Sequence, residues 1–162
     1  MQRYSHKKVL NIFPDIDPDL LKSWVTLGLI TPDLKSKGIG IFKKYSTINL
    51  IEIGVARELT AFGLKQVIIE PIIQSLREHL RQVQDYDLIL ICRRQYVPAA
   101  GKEMRPVTEI IKGKKSHFKY ESDYLLFNET HTSLNPGAVV PLSTSALVIC
   151  VADIWEYIMR RL

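Results

Sequence analysis

Cysteine is scarce in these 162 residues, and the two present, Cys92 and Cys150, both lie inside apolar runs. A reduced, buried thiol is the default in such a setting, with a bridge between the two as the alternative. Neither has metal-ligand spacing to a His or a second Cys, so no metal site is expected. Long apolar runs are also missing. The longest, 88–92 and 146–151, are strand-sized and fall short of the ~20 residues a membrane helix needs. The opening Met1-Gln2-Arg3-Tyr4-Ser5-His6 lacks the apolar core of a signal peptide, so the expected location is cytoplasmic, with no membrane partner. Signatures of catalysis are absent too. His117, His131, Asp123, Glu129 and Ser143 are scattered, without Gly-x-Ser-x-Gly, His-Glu-x-x-His or a phosphate-binding loop. Gly38-Ile39-Gly40 is too short for a nucleotide loop and follows no strand. The expectation is a protein that is not an enzyme and carries no cofactor.

The hydrophobic share of 46% and a mean hydropathy of +0.01 describe a soluble globular chain, long enough for one ordinary domain or two small ones. The formal net charge is +5, and it is uneven. Residues 1–84 hold 12 Lys and Arg against 8 Asp and Glu, so most of the basic excess lies in the first half. A polyanionic partner fits there.

The stretch from Asp17 to Ser46 organises the rest. Asp17 is a natural N-cap, Pro18 suits the first helical position, and Gly28 ends the helix by taking a left-handed conformation. Leu20, Leu21, Trp24 and Leu27 form an apolar stripe, while Asp19, Lys22, Ser23 and Thr26 repeat on another face. Before it, Ser5 caps a helix from His6 to about Phe13, broken by Pro14. Two short helices joined by so tight a turn match a helix-turn-helix. After it, the basic segment with Lys35, Lys37, Lys43 and Lys44 returns through 41–45 as a wing whose lysines face phosphate, the alternative being a solvated loop.

Ser46 caps a third helix, although Asn49 stands where a capping box prefers Glu or Gln. Ile48, Ile51, Val55, Leu59 and Phe62 trace one face of that helix, and Gly63 stops it. The core residues predicted here include Trp24, Leu27 and Phe62. A fourth helical pattern follows from Lys65, with a kink or restart expected near Glu70 because of Pro71. Its Ile69, Ile72, Ile73, Leu76, Leu80 and Val83 make a candidate seam for pairing with a second copy. Beyond Gln84 the text turns strand-like, with strands expected at 88–92, 106–111, 118–127 and 147–151, then a helix over 153–162 with Ile154, Trp155, Ile158 and Leu162 inward. The fold class predicted is α+β. An N-terminal all-α winged helix-turn-helix domain with its following helix spans 1–84, and a small mixed α/β domain spans 85–162.

Residues 4–76 resemble the DNA-binding domain of the MerR family of transcriptional regulators. The resemblance rests on Tyr4-Ser5 before a short helix and on the second helix Asp17-Pro18-Asp19-Leu20-Leu21-Lys22-Ser23-Trp24-Val25-Thr26-Leu27-Gly28-Leu29. It extends to Phe42-Lys43-Lys44-Tyr45-Ser46 and to the corner Leu59-Thr60-Ala61-Phe62-Gly63-Leu64. It implies a homodimeric regulator that distorts or blocks operator DNA. Tyr4, Ser5, Asp19, Lys22, Ser23, Lys35, Lys37, Lys43, Lys44 and Tyr45 are the implied DNA contacts. The chain departs from the family where Lys22-Ser23 replaces an Arg-Tyr pair and Lys43 replaces the wing arginine, so forked guanidinium contacts become point charges. The second domain matches no effector domain, and a small-molecule effector or a protein partner both remain open for it. The alternative is an excisionase-like or phage-packaging DNA-binding module that works through protein partners.

Overall fold

Ser5 opens the first helix as the sequence predicts. Its extended backbone leaves Oγ free to accept from the N–H of Lys8 at 3.2 Å, and α1 runs over His6–Ile12. The computed structural model describes residues 2–33, 43–83, 86–98, 104–113 and 146–162. Asp17 caps α2, Pro18–Thr26, by accepting from the N–H of Asp19 at 2.7 Å, with Pro18 in the first turn. Gly28 stands at φ +81°, the left-handed conformation expected of it. Two short strands frame the helices: β1, Tyr4–Ser5, pairs antiparallel with β2, Lys44–Tyr45, in the register Tyr4↔Tyr45 and Ser5↔Lys44.

The third helix, α3, covers Thr47–Ala61 and does have a capping box. Asn49 performs the role expected of Glu or Gln, because its Oδ1 accepts from the Ser46 N–H at 3.1 Å while Ser46 Oγ accepts from the Asn49 N–H at 3.3 Å. This helix is buried on more than one face, from Leu50 and Ile51 through Ile53, Val55 and Ala56 to Leu59. Gly63, at φ +78°, ends it, with Leu64 N–H bonded back to the Leu59 carbonyl at 3.1 Å.

Helix α4 is continuous over Gln66–Val83, so the restart expected at Glu70 does not occur. Pro71 stands early in the helix and removes only the donor to the Val67 carbonyl. Packing on α3 outweighs that single loss. Ile69, Ile72, Ile73, Leu76 and Leu80, read from sequence as a seam for a second copy, are buried within the chain's own core. They are spent before any partner arrives, and the side chain of Val83 lies outside the described residues.

Leu27 and Phe62, expected in the core, are 58% and 63% exposed. Each is the C-cap residue at the very end of its helix, just before a left-handed glycine, so helical periodicity carried the apolar stripe one residue too far. Leu20 is likewise at the surface, leaving Leu21 and Trp24 as the buried pair of α2.

The described residues form a helix-dominated α+β chain with a small antiparallel sheet. They divide into two compact units, Met1–Tyr86 with Asp153–Leu162, and Asp87–Ala152. The sequence placed all of 85–162 together, whereas the last ten residues belong with the first unit. Helix α5, Val151–Met159, carries them there. Within that unit Tyr157 stacks on Phe13 at 5.9 Å, Trp155 meets Tyr86 at 4.5 Å, and Ile158 is fully buried. A side chain at Gly54 would collide with Ile154 Cγ2, so the glycine lets α5 approach α3 closely. Leu162, expected inward, is 40% exposed.

The second unit contains β3, Ile89–Pro98, β4, Met104–Gly113, and β5, Ala146–Cys150, in the antiparallel order β4-β3-β5. Strands β3 and β4 are longer than the 88–92 and 106–111 predicted. The register sets Cys92 opposite Leu147 and Cys150 opposite Ile89. Three residues of strand therefore separate the cysteines, about 10 Å along the sheet and too far for a disulfide. The strand expected at 118–127 lies outside the described residues. No helix among the described residues is long and apolar enough to cross a membrane.

Candidate nucleic-acid interface

The β1–β2 pairing brings Tyr4 and Ser5, at the start of the chain, beside Lys44 and Tyr45, forty residues later. His6, the first residue of α1, joins them through a 3.0 Å hydrogen bond between its Nδ1 and the Tyr45 hydroxyl. Burial and the nearby charges of Lys43 and Lys22 push the His6 imidazole below its usual value of 6.5. Lys22 from α2 and Lys43 from the return segment therefore converge on one region of the surface. Ser23, the neighbour of Lys22, is exposed, and Lys43 and Lys44 are half-buried. Lys35 and Lys37 lie outside the described residues.

The rings of Tyr4 and Tyr45 are buried, so neither presents a face to a ligand. Burial pushes the Tyr45 phenol up to about 12, which keeps it protonated as a partner for His6. The Ser5 hydroxyl is engaged as the cap of α1. Three of the expected contacts are therefore scaffold: they fix β1 to β2 and α1 to both.

Asp19 and Lys22 pair with each other at 2.7 Å on the exposed face of α2. Each stabilises the charged form of the other, lowering the Asp19 carboxyl and raising the Lys22 ammonium. A surface pair of this kind is readily exchanged for another ion. Lys22 can therefore turn to a phosphate at the cost of leaving Asp19.

Among the described residues His6 Nε2 is buried with no hydrogen-bond partner, which makes protonation there unfavourable in the folded chain. Between its lowered folded value and 6.5 the unfolded chain binds more protons than the folded one. Stability then rises with pH across that window and falls on acidification through it. Replacing His6 with Gln is expected to flatten the pH dependence of the thermal midpoint below about pH 6.5, measured by circular dichroism against the parent chain. An identical slope in both proteins would rule His6 out as its source.

Sequence reasoning missed a second group of polar side chains behind this surface. Glu52, in α3, is fully buried and accepts from Arg77 Nε at 2.6 Å and from Asn49 Nδ2 at 3.0 Å. Asn49 Nδ2 also donates to the Thr31 carbonyl at 3.0 Å, and Arg77 Nη2 donates to the Leu29 carbonyl at 2.8 Å. A signal was present. Glu52 lies four residues after Ile48 and three before Val55, so a carboxylate stands within the apolar stripe of α3. Burial pushes its carboxyl up, while Arg77, Asn49 and Arg81 pull it back.

Among the described residues no cluster of His, Cys, Asp and Glu could hold a metal ion. No protein-family model matches the chain, and no curated protein matches it.

Proposed function

We propose that the chain is a sequence-specific regulator of transcription that binds double-stranded DNA through a winged helix-turn-helix of MerR type. Helices α1 and α2 form the helix-turn-helix. The segment from Thr31 to Tyr45 is the wing, and α3 and α4 complete the domain. The observation that carries the reading is the convergence of Lys22, Lys43 and Lys44 on the β1–β2 junction. Exposed Lys22 and Ser23 enter the major groove, with Asp19 beside them, and the wing lysines hold phosphates. The work is binding, without catalysis or cofactor, in the cytoplasm. A regulator of this type acts as a homodimer. With Ile69 to Leu80 committed to the core, its dimer contact falls elsewhere on the chain.

That commitment favours one alternative, an excisionase-like or phage-packaging module that works through protein partners. Phe62, Val67 and Ile68 stand exposed near the start of α4 and offer apolar side chains to such a partner. Light scattering combined with selection of bound duplexes from a random pool separates the two. A dimer enriching a palindrome supports the regulator. A monomer with bound duplexes but no palindrome supports the module, and a chain that retains no duplex at low salt overturns both.

The contacts have their own test. Lys22→Ala and Lys43→Ala are each expected to lower the slope of log K against log salt by about 0.9, the release of one counterion. Fluorescence anisotropy across a salt series reads that slope, and an unchanged value would remove the lysine from the interface.

A further inference from the structure

The group formed by buried Asn49 and Glu52 with half-buried Arg77 grips the wing segment at both ends. On the side where the chain leaves α2, Arg77 Nη2 holds the Leu29 carbonyl at 2.8 Å and Asn49 Nδ2 holds the Thr31 carbonyl at 3.0 Å. On the side where the chain enters α3, Asn49 Oδ1 holds the Ser46 N–H at 3.1 Å. One amide side chain thus spans the two ends of a segment carrying Lys35, Lys37, Lys43 and Lys44. Glu52 joins the parts, with Oε2 on Asn49 and Oε1 on Arg77. A fully buried carboxylate is a costly way to stabilise a helix pair, because apolar side chains of similar size do so at least as well. What apolar side chains cannot do is hold two carbonyls and an N–H in fixed places.

We propose that Asn49, Glu52 and Arg77 are positioning residues, which set the ends of the lysine-bearing segment in its DNA-gripping arrangement and tie that arrangement to the packing of α4 on α3. The proposal rests on the DNA-binding reading above. It also places a control point: Arg77 is an α4 residue, so a ligand or partner that shifts α4 acts on the wing without touching it. The Arg77 fork is suited to this, since its Nε and Nη2 address Glu52 and Leu29 together in a way that a lysine ammonium does not.

The test uses the full chain with Glu52→Leu and Arg77→Met combined, and separately Asn49→Ala. The double change swaps a buried ion pair for apolar groups, so its thermal midpoint is expected within about 5 °C of the parent. Amide exchange at Ile30 and Ser46 is expected to quicken in folded protein until it approaches the rate of an unprotected amide, as the open form becomes the major one. Affinity for a random-sequence duplex is expected to fall about tenfold, as the fraction of chains with a placed wing falls to a tenth. Asn49→Ala leaves the Glu52–Arg77 pair in place and is expected to speed exchange at Ser46, so it answers the question even where the double variant does not fold. Unchanged exchange at both amides, or unchanged affinity with quickened exchange, overturns the positioning role. A parent chain that binds no duplex overturns the DNA reading instead, while exchange still reports whether these side chains hold the segment.

Discussion

A chain ending at Ala152 is expected to lose the cooperative thermal transition of its first unit. The ten residues removed supply Ile158, which is fully buried, Tyr157, which stacks on Phe13, and Ile154, which fills the space left open by Gly54. They also supply the Arg161 and Leu162 carbonyls that accept from Lys8 Nζ at 2.9 and 3.3 Å. Phe13 of the first unit is itself fully buried and would lose the Tyr157 ring that stacks on it. Truncating one large buried side chain costs about 2–5 kcal/mol, and a whole domain is stable by only about 5–15 kcal/mol. Losing an interlocking helix therefore takes most or all of the margin. Differential scanning calorimetry of the truncated chain reads this directly. A transition within about 5 °C of the parent would show that α5 is an appendage rather than part of the core.

The second large effect is expected at Arg77. Replacing it with Ala leaves Glu52 buried without its ion-pair partner, a loss of about 3–5 kcal/mol in urea unfolding at neutral pH. The sign of the pH dependence distinguishes this cause from simple loss of packing. Burial already pushes the Glu52 carboxyl above 4.5, and removing Arg77 takes away its principal counterweight. In the variant the folded state holds a proton on Glu52 to higher pH than the unfolded state does. The penalty is then fully present above the raised folded value and shrinks as pH falls toward 4.5. The stability difference between variant and parent should thus narrow at about pH 5 compared with pH 7. A difference that stays constant would assign the loss to the aliphatic stem of Arg77.

Both effects arise from parts of the molecule with unequal traces in the sequence. Helix caps were legible one residue at a time. Ser5, Asp17 and Ser46 each accept a backbone N–H in the following turn, and Gly28 and Gly63 both take positive φ. Such signals are local: donor, acceptor and dihedral lie within a few residues. The apolar stripe of α4 was equally legible, but its destination was not. Periodicity says that Ile69, Ile72, Ile73, Leu76 and Leu80 share a face, and it is silent on whether α3 or a second copy covers that face. The candidate site shows the same limit. The resemblance implied Tyr4, Ser5 and Tyr45 as DNA contacts, yet burial of the two rings and the capping role of Ser5 make them scaffold, while Lys22 and Ser23 stand exposed and Lys43 and Lys44 half-buried among the described residues.

By itself the sequence determined where the helices α1, α2 and α3 begin and end and where the basic excess lies, because each depends on neighbours along the chain. Tertiary structure alone decided three things. It joined α5 to the first unit, closed the α4 stripe against α3, and linked Glu52 to Arg77 across 25 residues. These depend on which surfaces meet, and the free energy of burying an apolar face or pairing a buried charge is the same whatever the sequence distance to its partner. The chain spells out its faces, and only folding selects what each one covers.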